Sequence, residues 1–305
     1  MIYDLIVVGG GPAGVAAGIY ASRKKIKTLL LAKNFGGQSI AAGEINNFIG
    51  VKSISGVKLA ESMEDHLRAQ EGVEIKSGVF VSNIEKNNGV FIATTDNNEK
   101  FESKTLLIAV GSHYRRLNIP GEKEFEGKGV SYCSICDAPI FKNKITAVIG
   151  SGNAGLATVI DSLLYASKIY LIEYAESLKG DMILQEKIRK ESKVEIITMA
   201  AVQEIIGNNF VSGLKYKDLR SGDIKELKLE GVFVSIGYEP NSDLVKDLVN
   251  LDKHKQIIIN HQTQQTSQEG IWAAGDITDV LYKQINIAIG DGIKAVLNIY
   301  DYLKK

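Results

Sequence analysis

The chain is poor in cysteine, in excess charge of either sign and in long apolar runs. It has two cysteines in 305 residues, and 36 basic side chains balance 36 acidic ones. Balanced charge provides no basic field for nucleic acid, and no apolar run approaches the roughly 20 residues of a membrane-spanning helix. We therefore expect neither a nucleic-acid nor a membrane partner. At about 100 to 200 residues per domain, the length indicates two globular domains.

The sequence YDLIVVGGG follows the first two residues and predicts a β-strand. A strand at this point leaves no room for the apolar segment of a signal peptide. We therefore expect the protein to stay in a reducing cytoplasm.

Two segments, 3–32 and 144–173, repeat the order strand, glycine-rich turn, helix, strand. Each turn contains Gly-x-Gly-x-x-Gly between an apolar strand and a helix, the context expected of a dinucleotide-binding turn. The first glycine permits a tight turn, the second lets a pyrophosphate approach, and the third lets helix and strand pack closely. Two bound dinucleotides are the favoured interpretation, and glycines that serve only as turns are the alternative. These glycines are Gly9, Gly11 and Gly14, then Gly150, Gly152 and Gly155.

The other segments are mostly strand-like. Residues 73–110 contain four predicted strands separated by NNG and DNN turns, and a β-hairpin is predicted around RSGD, residues 220–223. A helix is predicted over 284–303, after the sequence GIWAAGDITD. Strands that alternate with helices in this way predict the α/β fold class.

Both cysteines, Cys133 and Cys136, lie in the sequence YCSICDAP. A metal half-site, a catalytic dithiol and chance are the possible explanations. A tetrahedral zinc site needs four ligands, and the four histidines are scattered along the chain, so we expect no metal site. Two intervening residues let a disulfide close within one turn, and a helix N-terminus there would stabilise a thiolate. The dithiol is the favoured interpretation.

The residues at the end of the second strand differ between the two repeats. Glu173 lies 23 residues after Gly150, whereas Ala32 lies 23 residues after Gly9. A carboxylate in this position can accept hydrogen bonds from a ribose 2′-hydroxyl and would repel a 2′-phosphate. Glu173 therefore favours NADH over NADPH, and Ala32 departs from the usual dinucleotide pattern.

The motifs GGGPAG, GGQ (36–38), AVGS (109–112), the cysteine pair, GSGNAG and AAGD (273–276) occur in that order. This set resembles the low-molecular-weight thioredoxin reductase family of the pyridine nucleotide-disulfide oxidoreductases. Within it, the sequence is similar to the C-terminal module of the flavoprotein component of alkyl hydroperoxide reductase. The resemblance covers essentially the whole chain.

The resemblance implies a three-layer FAD/NAD(P)-binding fold of two Rossmann-like domains. An NAD(H)-binding domain, 113–245, carries the cysteine pair and is inserted into a discontinuous FAD-binding domain, 1–112 and 246–305. In this family the nucleotide domain rotates between two positions, and 112–117 and 237–243 are the expected hinges. A homodimer is also expected from the family.

The resemblance implies two sets of cofactor-binding residues. For FAD, Asp276 matches the acid that binds the ribityl chain, and the start of the last helix meets the isoalloxazine ring, where a helix N-terminus stabilises negative charge. The FAD residues are Gly9, Gly11, Pro12, Ala13, Gly14, Gly37, Gln38, Asn47, Val81, Ala109, Gly111, Gly275, Asp276, Lys283, Gln284 and Ile285. The NADH residues are Gly150, Gly152, Asn153, Ala154, Gly155 and Glu173.

The resemblance also implies roles for the redox turn. Cys136 receives electrons from the flavin, Cys133 attacks the disulfide of a partner, and Asp137 returns a proton to the outgoing thiolate. NADPH-using members carry His-Arg-Arg-x-x-x-Arg where this chain has EYAESLK, in which only Lys179 is basic. That difference again favours NADH.

We therefore expect an NADH-dependent FAD disulfide reductase of the thioredoxin-disulfide reductase type. Its expected acceptor is a thioredoxin- or glutaredoxin-like protein that can in turn feed a peroxiredoxin. The related flavoprotein has N-terminal thioredoxin-like domains with no counterpart in this sequence, so the acceptor is expected on a separate chain. The alternatives are a ferredoxin-dependent or otherwise nicotinamide-independent thioredoxin reductase, a peroxide-forming flavin oxidase and a redox-sensing flavoprotein.

Overall fold

The chain forms two compact units, residues 1–113 with 239–305, and residues 114–238. The computed structural model describes residues 1–42 and 45–304. The chain crosses between the units at 113/114 and at 238/239, within the two segments predicted as hinges. Which cofactor each unit binds, and with it the domain assignment, stays a prediction.

The first unit begins with a repeat of strand, helix and strand and continues with a helix and five strands, the last of which crosses the unit boundary. Its short 3₁₀ helix covers Gly37–Ala41. The other elements are β1 (Ile2–Gly10), α1 (Pro12–Arg23), β2 (Thr28–Phe35), α2 (Gly56–Arg68), β3 (Val73–Ser77), β4 (Val81–Asn87), β5 (Val90–Thr95), β6 (Lys100–Ile108) and β7 (Ser112–Tyr114).

The sheet of the first unit has the strand order β3-β2-β1-β6-β5-β4. β1 pairs in parallel with both β2 and β6, so its apolar side chains are buried on both faces. Leu5 and Val7 belong to one apolar cluster, Ile6 and Val8 to the other. The strands predicted in 73–110 are confirmed, whereas α2, whose N-cap Ser55 accepts from the Lys58 N–H, was not predicted.

The second unit contains the other predicted repeat and an added antiparallel sheet. Its 3₁₀ helix covers Ala138–Phe141. The remaining elements are β8 (Val130–Ser131), α3 (Ser134–Asp137), β9 (Ile145–Ile149), α4 (Asn153–Leu163), β10 (Lys168–Ile172), α5 (Met182–Arg189), β11 (Val194–Ile197), β12 (Ala200–Gly207), β13 (Val211–Asp218), β14 (Ile224–Lys228) and β15 (Gly231–Val234). β16 (Tyr238–Pro240) begins at the last residue of this unit and continues into the first unit.

A parallel sheet of order β11-β10-β9-β15-β8 and an antiparallel sheet of order β12-β13-β14 make up the second unit. The hairpin predicted at 220–223 is confirmed as the β13–β14 connection. Helix α4 ends at Leu163, although the helical spacing of apolar residues in LATVIDSLLYAS continues to residue 167. The next residues turn instead, because the carbonyl of Tyr165 accepts from Asn143 and the N–H of Ser167 bonds Lys144.

After the chain has returned to the first unit, a 3₁₀ helix covers Ser242–Val245. β17 (Ile271–Ala273) pairs in parallel with the end of β6, and α6 (Ile285–Leu303) packs against α1. The helix predicted over 284–303 is thus confirmed. Over residues 1–42 and 45–304, no helix combines the length and apolar character needed to cross a membrane. The α/β class with two Rossmann-like units is confirmed.

Candidate active site

The turn after β1 contains two glycines that the fold requires and one that it does not. A Cβ on Gly14 would collide with the carbonyl oxygen of Gly9, and Gly9 has φ +118°, a conformation that favours glycine. Around Gly11, no atom of the described residues beyond its chain neighbours lies within 4 Å of the position that a Cβ would take. Helix α1 begins at the next residue, Pro12, which has no N–H, so the unpaired N–H groups of its first turn begin at Ala13, beside this open position. The turn therefore has the space and the donors that a pyrophosphate needs.

Other residues predicted to bind FAD lie beside this turn. A Cβ on Gly37 would lie 3.4 Å from Cα of Gly11, and one on Gly275 would lie 3.2 Å from Cβ of Ala13. Ala109, directly after β6, also contacts the turn. Three loops that are distant in sequence therefore meet at the N-terminus of α1.

The amide of Gln38 is held against a carboxylate. Its Nε2 donates to Asp276 Oδ2 at 3.3 Å and lies 3.5 Å from Ser112 Oγ. Its Oε1 is buried and has no hydrogen-bond partner among the described residues. Burial raises the pKa of Asp276, an effect that the charge of Lys283 opposes and that of Asp291 reinforces. The unpaired Oε1 of Gln38 and the partly buried carboxyl group of Asp276 are therefore available to form hydrogen bonds with a ligand.

The start of α6 holds three further predicted residues. Asn47 Nδ2 donates to Gln284 Oε1 at 3.3 Å, and Gln284 is the N-cap that precedes Ile285, the first residue of α6. Burial lowers the pKa of Lys283, whereas the charge of Asp276 raises it. A hydrogen bond therefore connects Asn47 directly to the N-terminus of α6.

Two predicted FAD residues are placed differently. Val81 begins β4 and packs in the apolar cluster of Val8, on the face of the sheet opposite Val7. Gly111 follows β6 with φ +66°, and within residues 1–42 and 45–304 no atom beyond its chain neighbours lies within 4 Å of where its Cβ would be. The side chain of Val81 therefore packs in the core, and Gly111 leaves open space at the end of β6.

The turn after β9 repeats the construction of the first turn. A Cβ on Gly155 would collide with the carbonyl oxygen of Gly150, whereas the Cβ position of Gly152 is open. Asn153 begins α4, its Oδ1 accepts the N–H of Asp181 at 2.7 Å, and Ala154 follows it in the first turn of the helix. The second turn thus offers the same room for a phosphate group.

Glu173, directly after β10, is buried with 4% of its surface exposed and has four donors around its carboxylate. Oε2 accepts from the N–H and the hydroxyl of Ser151, at 3.0 and 2.6 Å. Oε1 accepts from the N–H of Ala175 at 2.8 Å and lies 3.4 Å from Lys179 Nζ. Burial alone would raise the pKa of Glu173, but these donors outweigh it and lower the pKa. The group is therefore an anion at neutral pH.

Cys133 and Cys136 form a disulfide, with Cα atoms 5.3 Å apart. Cys133 is the N-cap of α3, and its Sγ accepts the N–H of Cys136 at 3.2 Å. The Ser131 hydroxyl accepts the Cys133 N–H at 3.2 Å. Both cysteines are partly accessible, and the intervening Ile135 is exposed. The pair can therefore exist as a disulfide, and a backbone N–H is positioned to stabilise a thiolate at Cys133.

Asp137 follows the pair and ends α3. Burial raises its pKa, and the hydroxyl of Ser131, which donates to Asp137 Oδ2 at 2.6 Å, lowers it in part. A carboxyl group that follows the two cysteines and has a raised pKa is suited to proton transfer.

We expect Asp137→Asn to gain stability relative to the native protein as pH rises. Because folding raises the pKa of Asp137, the folded state holds the proton more tightly than the unfolded chain. The native protein therefore loses stability between the unfolded pKa and the folded one, and asparagine does not titrate. Urea unfolding of both proteins between about pH 4 and pH 8 measures the difference. A difference that does not change with pH would contradict the buried carboxyl.

The sequence model of the pyridine nucleotide-disulphide oxidoreductase family matches residues 3–292. The chain belongs to this family. The disulfide between Cys133 and Cys136 fits this family, whose members use FAD and a pyridine nucleotide.

Two groups of relatives support the assignment. The chain is 40% identical over 301 residues to the F subunit of alkyl hydroperoxide reductase from Staphylococcus epidermidis and 41% identical over 310 residues to that from Pseudomonas putida. These matches cover 99% of this chain but 59% and 58% of those proteins, so the chain spans less than two thirds of their length.

The structure is also similar to that of thioredoxin reductase from Streptococcus pyogenes, with a TM-score of 0.92 and 33% identity, covering 99% of this chain and 98% of that one. Thioredoxin reductase from Giardia duodenalis gives a TM-score of 0.92 at 30% identity, with 99% of each chain covered. The predicted resemblance to this family is therefore confirmed.

Sequence reasoning missed the groups that hold the predicted residues in place. Ser131 binds Asp137, and Ser151 binds Glu173. A serine in such a turn is an ordinary turn residue, so the sequence carried no signal of either contact. Ser151 lies inside the second glycine motif, which was the one available indication.

Proposed function

We propose that the protein is an NADH-dependent FAD disulfide reductase that delivers electrons to a thioredoxin- or glutaredoxin-like protein. The observation that carries this proposal is the Cys133–Cys136 disulfide in the same unit as the second dinucleotide turn and Glu173. A cytoplasmic homodimer is part of the proposal, by analogy with the family.

The first unit offers a site that suits FAD. The open Gly11 position at the start of α1 suits a pyrophosphate, and the unpaired Oε1 of Gln38 beside Asp276 suits the polar remainder of the cofactor. When bound, FAD would accept a hydride from NADH and pass two electrons on to a disulfide. Residues at the start of α6, above all Lys283, would hold the cofactor's ring end.

The preference for NADH is argued from charge. Glu173 is a buried anion, and Lys179 is the single basic residue in the stretch 173–179. A 2′-phosphate would carry further negative charge toward that carboxylate without an arginine fork to compensate it. A 2′-hydroxyl could instead donate to Glu173.

The dithiol chemistry uses three residues of this chain. The thiolate of Cys133 attacks the partner's disulfide, which forms a mixed disulfide and releases one partner thiolate. Asp137 gives that thiolate a proton, which its raised pKa makes feasible. The Cys136 thiolate then attacks Cys133 Sγ, which restores the disulfide and releases the partner's second sulfur.

The identity of the partner is argued from the relatives. The relatives are named thioredoxin reductase and alkyl hydroperoxide reductase. These names point to a thioredoxin-like acceptor, which would in turn reduce a peroxiredoxin. We propose a thioredoxin-like protein as the direct acceptor.

Anaerobic titration of the purified yellow protein with NADH, and separately with NADPH, tests the donor assignment. We expect stoichiometric bleaching of the flavin by NADH and reoxidation when an oxidised thioredoxin-like protein is added. A flavin that dithionite bleaches but neither nucleotide does would replace this assignment with a ferredoxin-type reductase. Bleaching by NADH without transfer to any disulfide would favour a flavin oxidase or a redox sensor.

A further inference from the structure

We infer that Ser151, between the first two glycines of the second turn, is a positioning residue that sets nucleotide choice by holding the Glu173 carboxylate. This inference rests on the proposed function and extends it to a residue outside the predicted cofactor set.

Ser151 is fully buried, and it directs both of its donors at one carboxylate oxygen. Its hydroxyl and its N–H reach Oε2 of Glu173 at 2.6 and 3.0 Å. These two hydrogen bonds fix the position of Oε2, and the N–H of Ala175 on Oε1 restrains the rotation of the carboxylate. Glu173 is therefore held at the glycine turn itself and does not depend on strand β10 alone.

Ser151 also anchors the loop that follows Glu173. Its Oγ accepts the N–H of Lys179 at 3.1 Å, and its carbonyl accepts the N–H of Gly180 at 2.8 Å. One residue therefore ties together the glycine turn, the acid and the loop that carries the single base of 173–179.

The four donors around Glu173 differ in how easily they can be displaced. Those of Ser151 and Ala175 are short and belong to fixed groups. The fourth, Lys179 Nζ, is 3.4 Å away on a side chain that is 63% exposed. A carboxylate has about four acceptor positions, so the position that faces Lys179 is the one a ribose hydroxyl can take. Ser151 keeps the other oxygen occupied while this exchange occurs.

The test compares two serine-to-alanine variants. Ser151→Ala removes the hydroxyl that binds Glu173. Ser162→Ala is the matched control, because Ser162 is also buried and its hydroxyl donates to the carbonyl of Thr158 within α4. ADP-ribose and 2′-phospho-ADP-ribose are titrated calorimetrically into the flavin-containing proteins, and KM and kcat for NADH are measured alongside.

In Ser151→Ala we expect about tenfold weaker ADP-ribose binding, equivalent to about 1.4 kcal/mol, with 2′-phospho-ADP-ribose affinity nearly unchanged. The ratio of the affinities for ADP-ribose and 2′-phospho-ADP-ribose therefore falls. KM for NADH rises, and kcat is unchanged. Ser162→Ala is expected to keep the native ratio. A merely structural serine would weaken both probes equally and leave the ratio unchanged, which would overturn the inference.

A second variant and a measurement on the native protein separate the possible outcomes. If Ser151→Ala does not fold, Ser151→Cys, which replaces the hydroxyl with a weaker donor, decides: reduced discrimination supports the inference and native discrimination overturns it. If the native protein binds neither probe and NADH does not bleach the flavin, the proposed function itself fails. Native discrimination that survives in the serine variant refutes only the role of Ser151.

Discussion

Replacing Cys136 with serine is expected to lower reduction of a thioredoxin-like disulfide by more than about a thousandfold, as for loss of a covalent catalyst's reacting group. Cys133 then remains as a lone thiol that can attack the partner but cannot be released from it. We therefore expect Cys136→Ser to accumulate a dithiothreitol-sensitive adduct with the oxidised partner, detectable by intact-protein mass spectrometry. Its mass would identify the acceptor directly.

Cys133→Ser is the matched variant for this experiment. It is expected to lose partner reduction to the same extent but to form no adduct, because the attacking sulfur is gone. Ferricyanide, which takes electrons from reduced flavin without the dithiol, should be reduced by NADH at native rates in both variants. An adduct with Cys133→Ser and none with Cys136→Ser would reverse the two roles. Loss of ferricyanide reduction would show that the substitutions had damaged the flavin site.

Local features of the sequence were sufficient for much of the fold. Each glycine turn was predicted because the steric requirement lies within the motif itself: a Cβ on Gly155 would meet the carbonyl of Gly150 in the same motif. The β13–β14 hairpin and helix α6 also follow from short-range patterns. The redox turn was predicted for the same reason, since its two cysteines are separated by only two residues.

Contacts between distant segments could not be predicted in this way. Gln38 meets Asp276 although 238 residues separate them, and Ser151 meets Glu173 across 22 residues. Nothing in the letters of a turn specifies which buried carboxylate its serine will face. The end of α4 shows the same limit, because hydrogen bonds with residues 143 and 144 hold the residues after Leu163 in a turn while the apolar pattern continues.

The second and third glycines of the first turn, Gly11 and Gly14, are expected to differ in what they are needed for: Gly11 for binding of the cofactor and Gly14 for the stability of the fold. Gly11→Ala adds a Cβ into open space, and its backbone, φ −73° and ψ −179°, is accessible to alanine. The flavin-free protein should therefore keep the native melting temperature. If a pyrophosphate lies against Gly11, the added methyl group blocks it. We then expect loss of most bound FAD, measured as the absorbance ratio at the flavin and protein maxima after purification.

Gly14→Ala should behave in the opposite way, because its Cβ collides with the backbone of Gly9 whether or not a ligand is present. Overpacking of this kind costs about 1 to 3 kcal/mol or more, so the flavin-free variant should melt well below the native protein. Flavin-free samples must be compared, since bound FAD stabilises whichever protein retains it. Full FAD content in Gly11→Ala would mean that the first motif serves only as a turn. The FAD assignment of the first unit would then need another basis, whereas the disulfide chemistry of the second unit would stand unchanged.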